Sequence, residues 1–367
     1  DAILVVVTNS SLPIPETLAA QGLEKFGAKC GLSSLTIVGC GTVGHASLHR
    51  NSHPAQTKRA SSKRPADTAS SNTASTFRVL GFWDHHLAGP ASTLAQSGHT
   101  LSAISPLWYS VTASGAVTSN VDAALLAEAH KQHLAITPLI NDATGKQTFL
   151  TSKSTRTVAV LAIEHVLATM KYQGVNIDFE PPQTALQSDL TAFMVQLRDT
   201  LPKTDSITLD IVPHSGGAYD YAKLAPEVNQ FVLMSYDEHS DGTEAGPVAA
   251  LNWVKSITTR LTGLIPPSKL DLGIALYGYS WAAGSTHALT IPYNQITAAE
   301  KTHATWNSRY DETTATINGH TLWWENRKSI AEKIALAKSD HLAGIALWQV
   351  GYANPAIYQT LTKAIGT

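Results

Sequence analysis

From residue 77 onward, short apolar runs alternate with helix-length amphipathic stretches. The runs occupy residues 79–83, 101–109, 135–140, 175–180, 207–213, 231–236, 270–277 and 343–349. Helical stretches are clearest at 121–133, 157–172, 186–201, 248–264 and 328–338. A strand that reads as a continuous apolar run is buried on both faces, which marks a parallel sheet covered by helices. Eight such units in about 290 residues predict an α/β chain folded as a (β/α)8 TIM barrel rather than an open doubly wound sheet. No strand-to-helix turn carries the glycines of a dinucleotide or P-loop site. Some 50 residues separate Tyr277 from the helix at 328, and they hold strand-like segments at 286–291, 310–317 and 321–324. Connections that long are usually functional. We expect a small β-rich insertion at about 278–327, between strand 7 and its helix, walling one side of a cleft.

The chain ahead of residue 77 reads differently. Residues 51–76 contain no Leu, Ile, Val, Met or aromatic side chain, so they cannot bury enough apolar surface to offset the entropy of ordering. A disordered linker is expected there, and a catalytic barrel at 77–367. Residues 1–50 form an unassigned head with two short apolar runs, 3–7 and 35–38. Lys25 and Lys29 precede a stretch ending Ile37-Val38-Gly39-Cys40, which resembles a bacterial lipoprotein signal with Cys40 as the lipid-bearing residue. An unstructured extension is the plainer alternative.

Composition narrows the partners. The 26 basic and 28 acidic residues nearly cancel, to a net charge of −2, which argues against nucleic acid as a partner. Charged residues are 15% of the chain, against roughly 25% in average soluble proteins. Ser, Thr, Asn, Gln and 15 His fill the deficit, as suits a secreted or cell-envelope protein. No apolar run reaches the roughly 18 residues that a spanning helix needs. Cys30 and Cys40 both precede residue 77, so an internal disulfide cannot serve the barrel. A monomer without metal or cofactor is expected.

In such barrels the active site lies at the C-terminal ends of the strands. The runs end on Trp83-Asp84, Trp108-Tyr109, Asn141-Asp142, Asp178-Phe179-Glu180, His214, Tyr236-Asp237, Tyr277 and Trp348-Gln349. Flat rings beside hydrogen-bonding groups suit a sugar, which has apolar faces and polar edges. The fourth run, Gln173-Gly174-Val175-Asn176-Ile177-Asp178-Phe179-Glu180, is the most informative. Alternation puts Asn176, Asp178 and Glu180 on the face pointing into the barrel, about 6.6 Å apart per two residues. Two acids and an amide are costly to bury there without a role. Neighbouring carboxyls resist double ionisation, so one stays protonated near neutrality. A proton donor to a glycosidic oxygen needs that state. The bland reading of the same row is a polar ladder that only supports the barrel.

This strand resembles the Asp-x-x-Asp-x-Asp-x-Glu signature of family 18 glycoside hydrolases, with Glu180 in the place of the catalytic acid and Asp178 as its inner partner. Leu233-Met234-Ser235-Tyr236-Asp237 resembles that family's sixth strand, and Gly344–Trp348 its eighth. Several further blocks are similar to the spore-cortex branch, N-acetylglucosaminidases acting on peptidoglycan. They are Tyr236-Asp237-Glu238-His239, Gly246-Pro247-Val248, residues 265–270, Leu276-Tyr277-Gly278-Tyr279, Tyr310-Asp311-Glu312 and residues 323–327. The likeness spans about residues 77–365. Gln173 and Asn176 stand where the signature has its first two aspartates. An amide at 176 is expected to orient Asp178 without sharing its proton, so that Asp178 titrates simply. Gln173 is expected to touch only barrel support.

The resemblance implies substrate-assisted retaining hydrolysis of β-1,4-linked N-acetylglucosamine polysaccharide, peptidoglycan or chitin. Glu180 would protonate the leaving oxygen, and the sugar's acetamido carbonyl would attack the anomeric carbon. Asp178 would orient that acetamide, and Tyr236 would donate a hydrogen bond to its carbonyl oxygen. Trp348 would floor the sugar subsite, lined by Tyr277 and Asp237 with Met234 packed beneath. Asn176, Trp83 and Asn141 complete the expected substrate-binding set. Two other readings compete. An inactive glycan-binding member would use the same groove, though it would have less reason to retain both Asp178 and Glu180. A metal-dependent hydrolase is the weaker one, because adjacent His85 and His86 diverge and no His-Glu-x-x-His spacing occurs.

Overall fold

The computed structural model describes residues 34–38, 43–47, 77–84 and 90–366. The linker expected at 51–76 and the lipid-bearing role expected of Cys40 lie outside the described residues. The chain divides into two compact units, most of residues 1–76 and a unit running essentially from 77 to the end. In the first, Ser34–Val38 and Val43–Ser47 pair as an antiparallel hairpin.

The second unit is the barrel. Its strands are β1 (Arg78–Trp83), β2 (Ala103–Val111), β3 (Ala135–Ile136 and Leu139–Asp142) and β4 (Gly174–Asp178). They continue with β5 (Ser206–Ile211), β6 (Gln230–Leu233), β7 (Leu270–Ala275) and β8 (Gly344–Trp348). Each pairs in parallel with the next, and β8 returns to β1, so the sheet closes. Every predicted run holds a barrel strand, with one interruption: β3 is broken across Thr137-Pro138, where proline lacks the N–H that a ladder requires.

Alternation along the strands separates two cores. Val79, Val175, Ile177, Leu209 and Leu233 join the large outer core that packs against the helices. Leu80, Phe82, Leu139, Val232 and Ala346 form a smaller cluster inside the barrel, against which Trp348 packs. Below it Arg78 reaches Asp271 at 2.9 Å, from β1 to β7 across the intervening β8. Burial pushes the Asp271 carboxyl up to about 6, and Arg78 opposes the rise.

The helices start where side chains can satisfy free backbone N–H groups. Asp122 caps Ala123–Lys131, Ser152 caps Lys153–Met170, and Asn326 makes a capping box for Arg327–Ser339. After β5 the helix is reduced to one turn, Tyr221–Leu224. Between β7 and Arg327–Ser339 the chain builds a five-stranded antiparallel sheet from Tyr277–Ala282, Ala288–Pro292, Thr305–Asn307, Glu312–Ile317 and His320–Trp324. No described helix is long and apolar enough to cross a membrane.

Candidate active site

A cleft of about 550 Å³ opens at the C-terminal ends of β4 to β6 and β8. Its lining includes Asp178, Glu180, Asp210, Met234, Tyr236, Asp237 and Trp348. Strand alternation delivers the first of these groups. Asn176 and Asp178 share the inner face of β4, and Glu180 stands exposed at the lip two residues on. Asn176 itself is fully buried and does not line the cleft. Its Nδ2 donates to Oδ1 of Asp210 at 2.8 Å.

That bond corrects an expectation from the sequence. Asn176 orients Asp210 on the neighbouring strand, not Asp178. The register of β4 and β5 pairs Asn176 with Thr208 and Ile177 with Leu209, which sets Asp178 beside Asp210. Asp178 therefore does not titrate simply. Burial and the nearby Glu180 carboxylate hold its proton well above the ordinary carboxylate range. Burial and Asp178 do the same to Asp210. One oxygen of Asp178 is buried without a hydrogen-bond partner.

Glu180 is also raised, first by desolvation of its carboxyl within the cleft and then by Asp237. The site can therefore present a protonated acid at its lip. Tyr236 is buried, and burial together with Asp210, Asp237, Glu180 and Asp178 keeps its phenol protonated, a hydrogen-bond donor. A glycine makes room for it. A Cβ on Gly273 of β7 would lie 2.4 Å from the Leu233 carbonyl oxygen and 3.0 Å from the Tyr236 ring.

Asp237 has a left-handed backbone (φ +62°), uncommon outside glycine but tolerated by aspartate. Tyr277 and Tyr279, on the first strand of the inserted sheet, hold it through hydroxyls that donate to Oδ1 at 2.5 and 2.9 Å. Desolvation raises Asp237, and these two bonds oppose the rise. Tyr277 thus acts on the cleft through Asp237 and is itself 3% exposed. Trp348 is half-buried above Phe82, with ring centroids 5.5 Å apart, and presents a ring to the cleft.

Two expected binding residues sit elsewhere. Trp83 is 1% exposed and packs in the outer core, because Leu80 and Phe82 take the inner face of β1. Asn141 lies beside Asp178 in register and accepts a 2.5 Å bond from Ser110, and it does not line the cleft. Gln173 ties β4 to β3 through a bond from the Ile136 amide. Among the described residues no group of three or more His, Cys, Asp or Glu side chains is arranged to hold a metal.

Sequence reasoning missed Asp210 and Trp253. Asp210 had a signal, an acid alternating with Thr208 in an otherwise apolar run. Trp253 lies off the buried Val254, Ile257 and Leu261 stripe of its helix, lines the cleft, and has His214 at 6.5 Å between ring centroids.

A closed parallel barrel with acids and a tryptophan around one cleft at its strand ends defines the class of carbohydrate-active (β/α)8 barrels. Residues 109–353 match the model for glycosyl hydrolases family 18, and the chain belongs to that family. It is 28% identical over 211 residues to the uncharacterized glycosylase YvbX of Bacillus subtilis, covering 52% of this chain and 61% of that one. It is 26% identical over 207 residues to the cortical fragment-lytic enzyme of the same organism, covering 50% and 48%. The match thus spans between about half and three-fifths of these curated relatives. In fold it resembles a chitinase from Chromobacterium violaceum, with a TM-score of 0.73, 21% identity, and coverage of 79% of this chain and 99% of that one.

Proposed function

We propose that the barrel hydrolyses β-1,4-linked polysaccharide containing N-acetylglucosamine, peptidoglycan or chitin, by substrate-assisted retaining catalysis. The observation that carries this reading is the placement of Glu180, its carboxyl raised, at the lip of a cleft that Asp178, Tyr236 and Trp348 also line. Glu180 protonates the leaving oxygen. The acetamido carbonyl of the sugar attacks the anomeric carbon, while Asp178 receives the acetamide N–H and Tyr236 donates to its carbonyl oxygen. Water activated by Glu180, now a base, opens the intermediate with overall retention. The low charge of the chain and the cortical fragment-lytic relative support action at the cell envelope and favour peptidoglycan.

Product analysis on chitooligosaccharides and purified peptidoglycan tests this. Wild type should release N-acetylglucosamine-ended products, and Glu180→Gln should lose about 10²- to 10⁴-fold in kcat. Wild type that binds N-acetylglucosamine oligomers without cleaving them would make the chain a glycan-binding member. Turnover of a plain glucan would remove the acetamide from the mechanism.

A further inference from the structure

We propose that Asp210 is the proton-sharing partner of Asp178, supplying from β5 the carboxyl that β4 lacks because Asn176 is an amide. The inference rests on the hydrolytic reading above and deepens it.

Three observations carry it. Asp210 is 4% exposed and lines the same cleft as Asp178, so its carboxyl has little access to bulk water. Asn176 donates to one oxygen of Asp210 and fixes the carboxyl in place. The strand register sets Asp210 beside Asp178, whose own Oδ1 is buried without a hydrogen-bond partner.

The charges around the pair are unbalanced. Glu180 stands above, just past the end of β4, while Tyr236 and Asp237 face it from beyond β6. Tyr219 and His214 approach from the segment after β5. From below, Arg78 acts on Asp210 but is committed to Asp271 at 2.9 Å. Two buried carboxyls placed side by side without a cation of their own cannot both ionise. They bind one proton between them.

The proton stays in the pair throughout. When the acetamide N–H of the substrate donates to Asp178, Asp178 must be carboxylate, and the shared proton settles on Asp210. The proton that reaches the leaving oxygen comes from Glu180, so none is gained or lost. Asp210 acts through Asp178 and is a positioning residue.

The isosteric variant Asp210→Asn separates this role from simple support, because its amide oxygen still accepts from Asn176. In the full chain, with a fluorogenic chitobioside as probe, kcat should fall about 10- to 100-fold while KM stays within about threefold. The thermal midpoint should be unchanged. The shared proton stabilises the Asp178 carboxylate, so losing it should raise the pKa of Asp178 and move the acidic limb of the pH–rate profile to higher pH. The exchanged pair, Asn176→Asp with Asp210→Asn, returns a carboxyl to β4 and should recover most of the lost kcat. An unshifted profile for Asp210→Asn, or an exchanged pair as slow as that variant, overturns the proposal while leaving hydrolysis by wild type intact. A wild type inert on the probe and on peptidoglycan sinks the hydrolytic reading and this inference together.

Discussion

The molecule buries acids in two places, and only one of them holds a cation of its own. At the base of the inserted sheet Glu312, Glu325 and Lys333 are each no more than 1% exposed. Lys333 bonds Glu325 at 2.5 Å, and the two oxygens of Glu312 accept the amides of Val248 and Ala249 at 2.7 and 2.9 Å. One oxygen of Glu325 is left without a partner, but its mate rests on an ammonium. In the cleft, Asp178, Asp210 and Glu180 have no such lysine among the described contacts, and the nearest guanidinium is held by Asp271. At the first site Lys333 neutralises Glu325, while Glu312 rests on backbone donors and keeps a proton up to about pH 8. At the second no cation takes part: the acids keep protons, and Glu180 at the lip can give its own away. A buried acid cluster is therefore read as scaffold or as chemistry by what neutralises it.

Removing the cation should have the largest effect. Lys333→Met leaves Glu325 buried without its counter-ion and should cost about 3–5 kcal/mol in urea denaturation. Glu180→Gln at the cleft lip should move the same transition by under about 0.5 kcal/mol. A cost for Lys333→Met of only about 0.2–1 kcal/mol, like that of an exposed pair, would erase the contrast.

A pH titration of stability should give the next largest effect. Burial and Glu325 push Glu312 up to about 8 in the folded chain, against about 4.3 when unfolded. Between those values the native state holds a proton that the unfolded state has released, so stability should fall as pH rises through the window. Thermal midpoints measured from pH 5 to 9 should show that slope, and Glu312→Gln should flatten it. An equal slope in the variant would assign it to other groups.

The smallest expected effect sharpens the cleft side. Asp237 raises Glu180, so Asp237→Asn should lower the basic limb of kcat/KM by up to about one pH unit. A stationary limb would mean that solvent at the lip screens the Asp237 charge.

Much of the fold was legible in local patterning. Eight apolar runs ending in polar or aromatic residues specify parallel strands, because only a strand covered on both faces is apolar throughout. The exceptions were local too: Pro138 interrupts β3, and the β5 connection shrinks to a single turn. Asp178 and Glu180 were legible because two-residue alternation is a property of one strand. Tyr236 and Trp348 followed from strand ends. Trp83 was misplaced because strand-end position does not say which face a side chain takes, and the inner face of β1 belongs to Leu80 and Phe82.

By itself, then, the sequence determined the barrel, its order and the acids on its fourth strand, all of which depend on neighbours along the chain. The tertiary structure alone decided that Asn176 serves Asp210, that Tyr277 and Tyr279 hold Asp237, and that Lys333 neutralises Glu325. Most of these contacts join residues 34 to 42 positions apart through strand register and sheet packing. Even Lys333 and Glu325, eight positions apart, need the turn of a helix back over the inserted sheet. Hydrophobic periodicity records which face of an element is buried, and says nothing about which neighbour it meets there.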